Sequence, residues 1–295
     1  MLYVQSDRQL SQESGEARYE RTILKGLREH MKIRNSELDL RKTTYVMGIL
    51  NVTPDSFSDG GLHNTTDKAV EHALSMIEEG AAIIDIGGES TRPGFDKVSQ
   101  EVELERVIPV IRKLREVSDI PISIDTTKPA VADAAMAAGA DIINTVEGVD
   151  APSQMIEVVK RTNALLVMTY EKSYVNQFAE ALVKMAEAAV AAGIERDKII
   201  LDPGIGFGKT QEENLRILNE LPMITQTPYP VLLGASRKSV IGNVLNVPTQ
   251  ERLPGTLVTT VLASLAGVGI VRVHDVSENV RALKMLTAVC NIDED

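Results

Sequence analysis

Two patterns of hydrophobic and polar positions alternate along this chain. Short β-branched apolar runs predict strands, and amphipathic or Ala-rich segments between them predict helices. The chain repeats this pair eight times after residue 44, and the helices supply the crossovers that parallel strands require. The strands are predicted at 45–51, 82–86, 121–125, 141–144, 164–168, 198–202, 230–234 and 269–273.

An eightfold alternation over about 250 residues predicts an α/β fold of the (β/α)8 TIM barrel type. An open doubly wound sheet is the alternative, which the even count disfavours. The barrel is expected to span residues 44–295. Residues 1–43 lie outside the alternation and form an N-terminal extension, in which the charged segment 16–34 predicts a helix.

Polar side chains follow most of the predicted strands, where a barrel of this kind builds its active site. In chain order they are Asn51, the Gly87-Gly88-Glu89 turn, Asp125, Asn144, Thr169, Asp202, the Ser236-Arg237-Lys238 cluster, and Arg272 with His274. The carboxylate and amide groups suit a flat, nitrogen-rich heterocycle. The cations follow strands seven and eight, the usual phosphate corner of such barrels, where a helix start near Ser277 adds backbone donors.

Several of these residues also have a plain structural interpretation. An aspartate after a strand is often a helix cap or a turn former, so Asp125 and Asp202 indicate a ligand site only when they are taken together. GFGKT resembles the end of a phosphate loop, but Pro203 stands where the first glycine belongs. The spacing GIGFG also fails the dinucleotide fingerprint at Lys209. The other histidines are scattered and form no metal set with His274.

Composition narrows the class of protein. A net charge of -11 argues against a general nucleic-acid surface, which needs clustered excess Lys and Arg. The longest uncharged run, Gly255–Val271, is too short and too polar to span a membrane, and it predicts a buried helix running into a strand. The single cysteine, Cys290, is expected to pack in the core, and one cysteine suits a reducing cytoplasm. No signal peptide is evident.

Six motifs, in order, resemble those of the dihydropteroate synthase family. They are MGILNVTPDSFSDGG at 47–61, IDIGGESTRPG at 84–94, SIDTTKPAVADAAMAAGADIIN at 123–144, LDPGIGFGKT at 201–210, LLGASRKSVIG at 232–242 and VRVHDV at 271–276. The resemblance covers the chain from about residue 38 to its end and implies a barrel transferase of folate biosynthesis. Such an enzyme joins p-aminobenzoate to dihydropterin-hydroxymethyl pyrophosphate, forming dihydropteroate and pyrophosphate.

The resemblance also implies a role for individual residues. Asp125, Asn144, Asp202 and Lys238 would hold the pterin. Arg272, His274 and Thr91 would hold the pyrophosphate, with Asn51 helping to place Mg²⁺. The p-aminobenzoate site would comprise Phe57, Thr91, Arg92, Pro93, Phe207 and Ser239. The catalytic set would be Asp125, Asp202, Lys238, Arg272 and His274, acting mainly through electrostatics. The partners implied are these small molecules and a second copy of the chain, with no nucleic acid and no membrane.

Two positions depart from the family pattern. Thr145 stands where the family usually has an aspartate, and Thr169 stands where it usually has a histidine. A pterin-binding methyltransferase and a catalytically silent pterin-binding relative therefore stay open as alternatives.

Two further expectations concern ligands. Replacing Arg272 should spare binding of a pterin without phosphates. The rim loops 52–64 and 89–98, rich in Gly, Pro, Ser and Asp, are expected to be mobile when empty, so that p-aminobenzoate binds second.

Overall fold

Eight parallel strands form one sheet in the computed structural model, which describes residues 31–40, 42–53, 62–89, 98–146 and 153–291, without the side chains of 62–64. A short antiparallel hairpin precedes them. The hairpin strands are β1 (Met31–Ile33) and β2 (Ser36–Leu38). The eight parallel strands are β3 (Tyr45–Asn51), β4 (Ile83–Gly87), β5 (Ile122–Asp125), β6 (Ile142–Thr145), β7 (Leu165–Thr169), β8 (Ile199–Asp202), β9 (Leu232–Leu233) and β10 (Ile270–Val273).

The sheet closes on itself. Its strand order is β8-β7-β6-β5-β4-β3-β10-β9, and a parallel bridge between Leu201 and Val231 joins β8 to the start of β9. The amide of Leu201 also donates to the carbonyl oxygen of Pro230 at 2.9 Å. The (β/α)8 barrel prediction is therefore confirmed. The predicted strands agree with the observed ones to within one residue, except that the seventh is reduced to two residues.

Helices follow each strand and complete eight β/α units. They are α1 (Leu62–Glu78), α2 (Gln100–Val117), α3 (Pro129–Ala138), α4 (Gln154–Thr162), α5 (Phe178–Ala191), α6 (Gln211–Asn219), α7 (Leu221–Ile224), α8 (Ser239–Leu245), α9 (Leu253–Leu265) and α10 (Val276–Cys290). Helix α3 begins and ends at the residues that the sequence predicts. Pro129 opens the first turn, and Gly139, in the left-handed conformation at φ 113°, closes the last.

The barrel interior is apolar at its amino end and polar at its carboxyl end. Because strand side chains alternate, every second residue points inward. The inward apolar residues are Met47, Ile83, Ile142, Leu165, Val167, Ile200, Leu232 and Ile270. The hairpin residues Ile33 and Leu38, together with Leu40, pack against them and close the amino end of the barrel. The floor of the site is therefore a rigid apolar core.

Three predictions about the periphery need correction. The predicted helix at 16–34 lies largely outside the described residues, and its last part instead forms β1 and a turn at Arg34. Helix α9 is not fully buried, because Val258, Leu262 and Leu265 are about half exposed. Cys290 is exposed at the end of α10 and does not pack in the core. No helix within the described ranges has the length and apolar character needed to cross a membrane.

Candidate active site

The polar residues predicted at the strand ends meet in one layer of the barrel. Strand register aligns Asn51 with Gly87, Gly87 with Asp125, and Asp125 with Asn144. On the other side of the barrel, Thr169 is aligned with Asp202. These side chains alternate with apolar residues that face the helices, so they point into the mouth of the barrel. The sequence prediction that strand-end residues share one rim is thus confirmed by the register.

Arg272 lies inside this rim between two carboxylates. Its Nε donates to Oδ2 of Asp85 at 2.5 Å, and its Nη2 donates to Oδ2 of Asp125 at 2.5 Å. The amide nitrogen of Asn144 lies 3.4 Å from both carboxylate oxygens of Asp85. Arg272 and Asp85 are therefore part of a network that holds the two neighbouring candidate pterin ligands in place.

Asp85 is a site residue that the strand-end argument missed. It is fully buried and lies two residues before the end of β4, flanked by Ile84 and Ile86. A charged residue inside an otherwise apolar strand was the available signal, because an unpaired buried carboxylate is costly. Its partner, Arg272, comes 187 positions later in the chain, so the sequence alone does not identify the pair.

Burial and competing charges set the protonation of this network. Burial raises the pKa of Asp125 to about 7; Arg272 opposes this shift, and the negative charge of the nearby Asp85 adds to it. Burial by itself would lower the pKa of Arg272, but Asp85 and Asp125 together raise it well above its usual range. The guanidinium is thus permanently charged, and Asp125 is the group whose charge can change near neutral pH.

Asp202 and Lys238 form the opposite wall. The amide of Gly204 donates to Oδ1 of Asp202 at 2.8 Å. A Cβ placed on Gly234 would lie 3.5 Å from Oδ2 of Asp202 and 3.7 Å from Nζ of Lys238, so both groups border the same space. Burial raises the pKa of Asp202, partly offset by Lys238, and burial lowers the pKa of Lys238 to about 8, partly offset by Asp202. A flat ring between Asp125 and Asp202 would meet carboxylate acceptors on one edge and the ammonium donor of Lys238 on another.

The glycine-rich loop after β8 is not a phosphate loop. Lys209, which the GFGKT spacing would place on a phosphate, donates to the carbonyl oxygens of Tyr170, Phe207 and Gly204 at 2.6, 2.9 and 3.0 Å. Thr210 caps α6 in a capping box with Glu213. The phosphate-loop interpretation is therefore wrong, as the absent first glycine indicated.

His274 and Arg237 have different surroundings at the phosphate corner. His274 lies beside Ser236, with Nδ1 3.0 Å from the hydroxyl oxygen, and its backbone amide donates to the same oxygen at 3.2 Å. Arg237 adopts a left-handed backbone conformation at φ 54° and pairs with Asp275 through two hydrogen bonds. Within the Ser236-Arg237-Lys238 cluster, Arg237 is therefore engaged in an ion pair with Asp275, whereas Lys238 borders the site.

A buried charge network supports the site behind β4 and β5. Nζ of Lys128 donates to Glu89 and to Glu103, both at 2.6 Å, and Glu89 also accepts from the amide of Val98 at 3.1 Å. Glu103 is 1% exposed, and its Oε1 has no hydrogen-bond partner among the described residues. Nη1 of Arg106 donates to Gly88 at 2.7 Å. Helix α2 thus braces the turn that leads into residues 90–97.

The remaining predicted residues fall into two groups. Phe57, Thr91, Arg92 and Pro93 lie outside the described residues. Ser239 is exposed at the first position of α8, and the ring of Phe207 lies 4.5 Å from Nζ of Lys238. The structure therefore brings Phe207 next to a candidate pterin ligand, as a shared boundary between two substrates would require.

The two positions that depart from the family pattern have different orientations. Thr169 is buried and shares the inward face of β7 with Val167. Thr145 is fully buried and shares the face of Ile143, whose side chain packs toward the helices. Of the two, Thr169 alone faces the barrel interior from its strand.

Oxygen donors for a metal ion are sparse. Within the described ranges, no group of three His, Cys, Asp or Glu side chains is placed to hold a metal. Asn51 ends β3 half-buried, and a Cβ on the facing Gly87 would lie 3.9 Å from its Oδ1. A hard cation bound here would take one protein oxygen and complete its shell with phosphate and water oxygens, as Mg²⁺ commonly does. Asn51 fits that role.

Comparison with known proteins agrees with this geometry. A family model described as pterin binding enzyme matches residues 47–274. A dihydropteroate synthase of Clostridium beijerinckii is 48% identical over 262 residues, which cover 86% of this chain and 97% of that protein.

Two solved structures share the fold. The dihydropteroate synthase of Clostridium difficile, determined in the presence of pteroic acid, superposes with a TM-score of 0.80 at 47% identity, covering 85% of this chain and 98% of that one. The Xanthomonas albilineans enzyme with 4-aminobenzoic acid superposes with a TM-score of 0.83 at 40% identity, covering 89% and 98%.

Proposed function

This chain belongs to the dihydropteroate synthase family of pterin-binding transferases, and from that membership we propose how its own residues perform the reaction. The reaction joins dihydropterin-hydroxymethyl pyrophosphate to p-aminobenzoate, releasing pyrophosphate and forming dihydropteroate. Membership favours this over the methyltransferase and the silent relative. The observation that carries the residue assignment is the convergence of Asp125, Asn144, Asp202 and Lys238 on one rim, with Arg272 fixed against Asp125.

The pterin binds between the two walls of the rim. Asp125 and Asp202 accept hydrogen bonds from its amino and ring N–H groups, Asn144 adds an amide, and Lys238 donates to ring acceptors. Support comes from the burial of Asn144 and Asp202 and from the low exposure of the Asp125 side chain, 11%, because few water molecules compete with a ligand there. The charges of the two carboxylates then also stabilise positive character on the pterin as pyrophosphate leaves.

The pyrophosphate binds at the corner formed by β9 and β10. His274 and Arg272 offer donors there, and Thr91 joins them from outside the described residues. When bound, Mg²⁺ held by Asn51 would neutralise charge on the departing phosphate oxygens. Arg272 connects the pterin site with the pyrophosphate site. Its guanidinium pairs with Asp125, and His274 follows it by two positions on the same strand end.

The p-aminobenzoate ring lies against Phe207 with its carboxylate at Ser239, and the resemblance assigns Phe57 and Pro93, outside the described residues, to the same pocket. Arg92 completes this pocket. The position of Phe207 over Lys238 supports the assignment, because the incoming amine must meet the pterin beside its ring. The amine of an aniline is uncharged near neutral pH, so it attacks without a general base. The chain's task is to orient the two substrates and keep water away.

A dimer of this chain would use α8 and α9. Their exposed apolar residues are Val244, Leu245, Val258, Leu262 and Leu265. Apolar side chains on adjoining helices suit a self-complementary interface. The single cysteine suits a reducing compartment such as the cytoplasm.

A pyrophosphate-release assay tests the proposal. The purified chain with the pterin pyrophosphate, p-aminobenzoate and Mg²⁺ should release one pyrophosphate for each dihydropteroate formed, and omitting p-aminobenzoate should stop product formation. Release of pyrophosphate without a pteroate product would contradict the proposed transfer. Calorimetry with the pterin pyrophosphate, with and without Mg²⁺, tests the metal role of Asn51 separately, since Asn51→Ala should abolish the Mg²⁺ dependence.

A further inference from the structure

Two lysine ammonium groups flank the loop of residues 203–208, and the reaction as described above uses only one of them. Lys238 borders the site and donates to the carbonyl oxygen of Ile205 at 2.5 Å. Lys209 donates to Tyr170, Phe207 and Gly204 at 2.6 to 3.0 Å. An ammonium has three N–H donors, so the donors of Lys209 are fully used by backbone carbonyls.

The loop depends on glycine to reach this arrangement. Gly204, Gly206 and Gly208 have left-handed φ values of 71°, 85° and 59°. A Cβ on Gly204 would lie 2.1 Å from the carbonyl oxygen of Tyr170, and a Cβ on Gly208 would lie 2.3 Å from that of Glu171. The loop therefore lies directly against the backbone that follows β7, and the carbonyl of Tyr170 belongs to the same cluster as two carbonyls of the loop.

Lys209 supplies the positive charge that holds these three carbonyl dipoles together. Without it, their oxygens would face one another at close range with no donor between them. Burial lowers the pKa of Lys209 to about 8, against the opposing effects of Asp202, Glu213 and Glu171. The buried cation therefore has an electrostatic cost, which a residue serving only to fill space would not incur.

The loop residue most affected is Phe207. Its carbonyl is one of the three that Lys209 holds, and its ring lies 4.5 Å from Nζ of Lys238. The ring is half-buried and thus available to a ligand. On the other side of the loop, Asn214 accepts from the amide of Gly206 at 2.7 Å. With both sides of the loop fixed, the backbone sets the Cα–Cβ direction of Phe207, and the ring packs against Lys238.

We propose that Lys209 is a positioning residue for p-aminobenzoate, acting as a built-in cation that fixes the loop and thereby the Phe207 ring. The inference rests on the proposed role of Phe207 in that pocket. It assigns the lysine of GFGKT to the second substrate through Phe207, with no direct contact to phosphate or pterin. Pterin binding depends on Lys209 less than p-aminobenzoate binding does, because Asp125 and Asn144 lie on other strands and only Asp202 and Lys238 contact the loop, through Gly204 and Ile205.

Steady-state kinetics of Lys209→Met test the proposal, with Lys172→Met as the matched control because Lys172 is exposed on the neighbouring segment. At saturating pterin pyrophosphate, the KM for p-aminobenzoate should rise about tenfold or more, as expected when hydrogen bonds to a charged group are lost. Affinity for a pterin without phosphates should fall by a smaller factor, because only one of the two pterin walls contacts the loop. The control should match the parent in both measurements.

A rescue experiment separates charge from packing. Lys209→Ala should regain p-aminobenzoate affinity with n-propylammonium, which replaces the deleted amine and its stem, and it should not do so with propan-1-ol. A parallel cycle with Phe207→Ala should show that the effects of Phe207 and Lys209 are not additive.

Three outcomes would overturn the proposal: an unchanged KM in Lys209→Met, equal rescue by the alcohol, or an equal loss of pterin affinity. The parent chain, assayed alongside, tests the reaction itself. A parent that forms no dihydropteroate contradicts the proposed function whatever the variants do.

Discussion

Arg272 and Asp85 form a buried ion pair inside the barrel, with Nε of the arginine 2.5 Å from Oδ2 of the aspartate. Asp85 is fully buried and the side chain of Arg272 is 16% exposed. The pair fixes the guanidinium so that its second arm reaches Asp125. A residue outside the proposed ligand set thus fixes the position of one within it.

Replacing Asp85 should therefore destabilise the fold. Asp85→Ala leaves Arg272 with one carboxylate and opens a cavity, and we expect a loss of roughly 3 to 5 kcal/mol in the free energy of unfolding. Asp85→Asn keeps an acceptor and should cost less. Urea denaturation measures both. Asp133→Asn, which removes an exposed pair with Arg161, is the control and should cost under about 1 kcal/mol. Equal costs at the two positions would contradict the pairing.

Asp202→Asn should weaken pterin binding without loss of the fold. Oδ1 of Asp202 accepts from the amide of Gly204, so an asparagine would keep its oxygen there and turn its NH₂ toward the ligand. A donor would then face the N–H groups of the pterin, a mismatch that costs roughly 1 to 3 kcal/mol. Calorimetry with a pterin lacking phosphates measures this loss. Unchanged affinity would refute the placement of the ring.

Stability should depend on pH through Asp125. Its pKa in the folded chain is raised to about 7, above the usual value of about 4, so the folded state holds a proton that the unfolded state releases. This contribution to stability is present at low pH and is lost as the pH rises through about 7. Asp125→Asn keeps an acceptor for Arg272 and removes the titration.

Without ligand, Asp125→Asn should therefore exceed the parent in stability at pH 8, by about 1 kcal/mol or more, and approach it at pH 5. Urea unfolding at the two pH values checks this. A variant advantage that is larger at pH 5 than at pH 8 would reverse the sign and contradict the raised pKa.

Lys128→Met should destabilise the chain far more than Lys113→Met. Lys128 is the partner of both Glu89 and the buried Glu103, and removing it leaves two carboxylates without their cation, a change that costs roughly 3 to 5 kcal/mol. Lys113 pairs with Asp67 at the surface, where such a pair contributes little. Thermal unfolding compares them. Adding Glu103→Leu to Lys128→Met should recover part of the loss.

The two substrates should bind in order. The resemblance places half of the p-aminobenzoate pocket on loops 52–64 and 89–98, and bound pyrophosphate would give Thr91 and Arg92 an anionic partner. Labelled p-aminobenzoate should then bind detectably only when pyrophosphate with Mg²⁺, or the pterin pyrophosphate, is present. Titrations with and without those ligands measure the coupling. Equal affinity in both would show a preformed pocket.

Arg272 shows where sequence reasoning reached its limit at the site. The sequence predicts that replacing Arg272 weakens the binding only of pterins that carry phosphates. The ion pair with Asp125 changes that expectation, because Arg272→Ala would leave Asp85 and Asp125 without a cation and would alter the charge that faces the pterin itself. The sequence places Arg272 at the last strand, but the neighbours of its side chain lie on strands far apart in the chain.

The sequence by itself determined the barrel and the residues of its rim. Strand periodicity, crossover helices and helix caps are local, so they place Asp125, Asn144 and Asp202 at strand ends without knowledge of the fold's interior. Only the tertiary structure decided which charges meet. The pairing of Asp85 with Arg272, the carbonyls around Lys209 and the exposed face of α9 depend on barrel closure and strand register. Closure brings together residues that the chain separates by more than a hundred positions, and the resulting burial and charge pairing shift their pKa values.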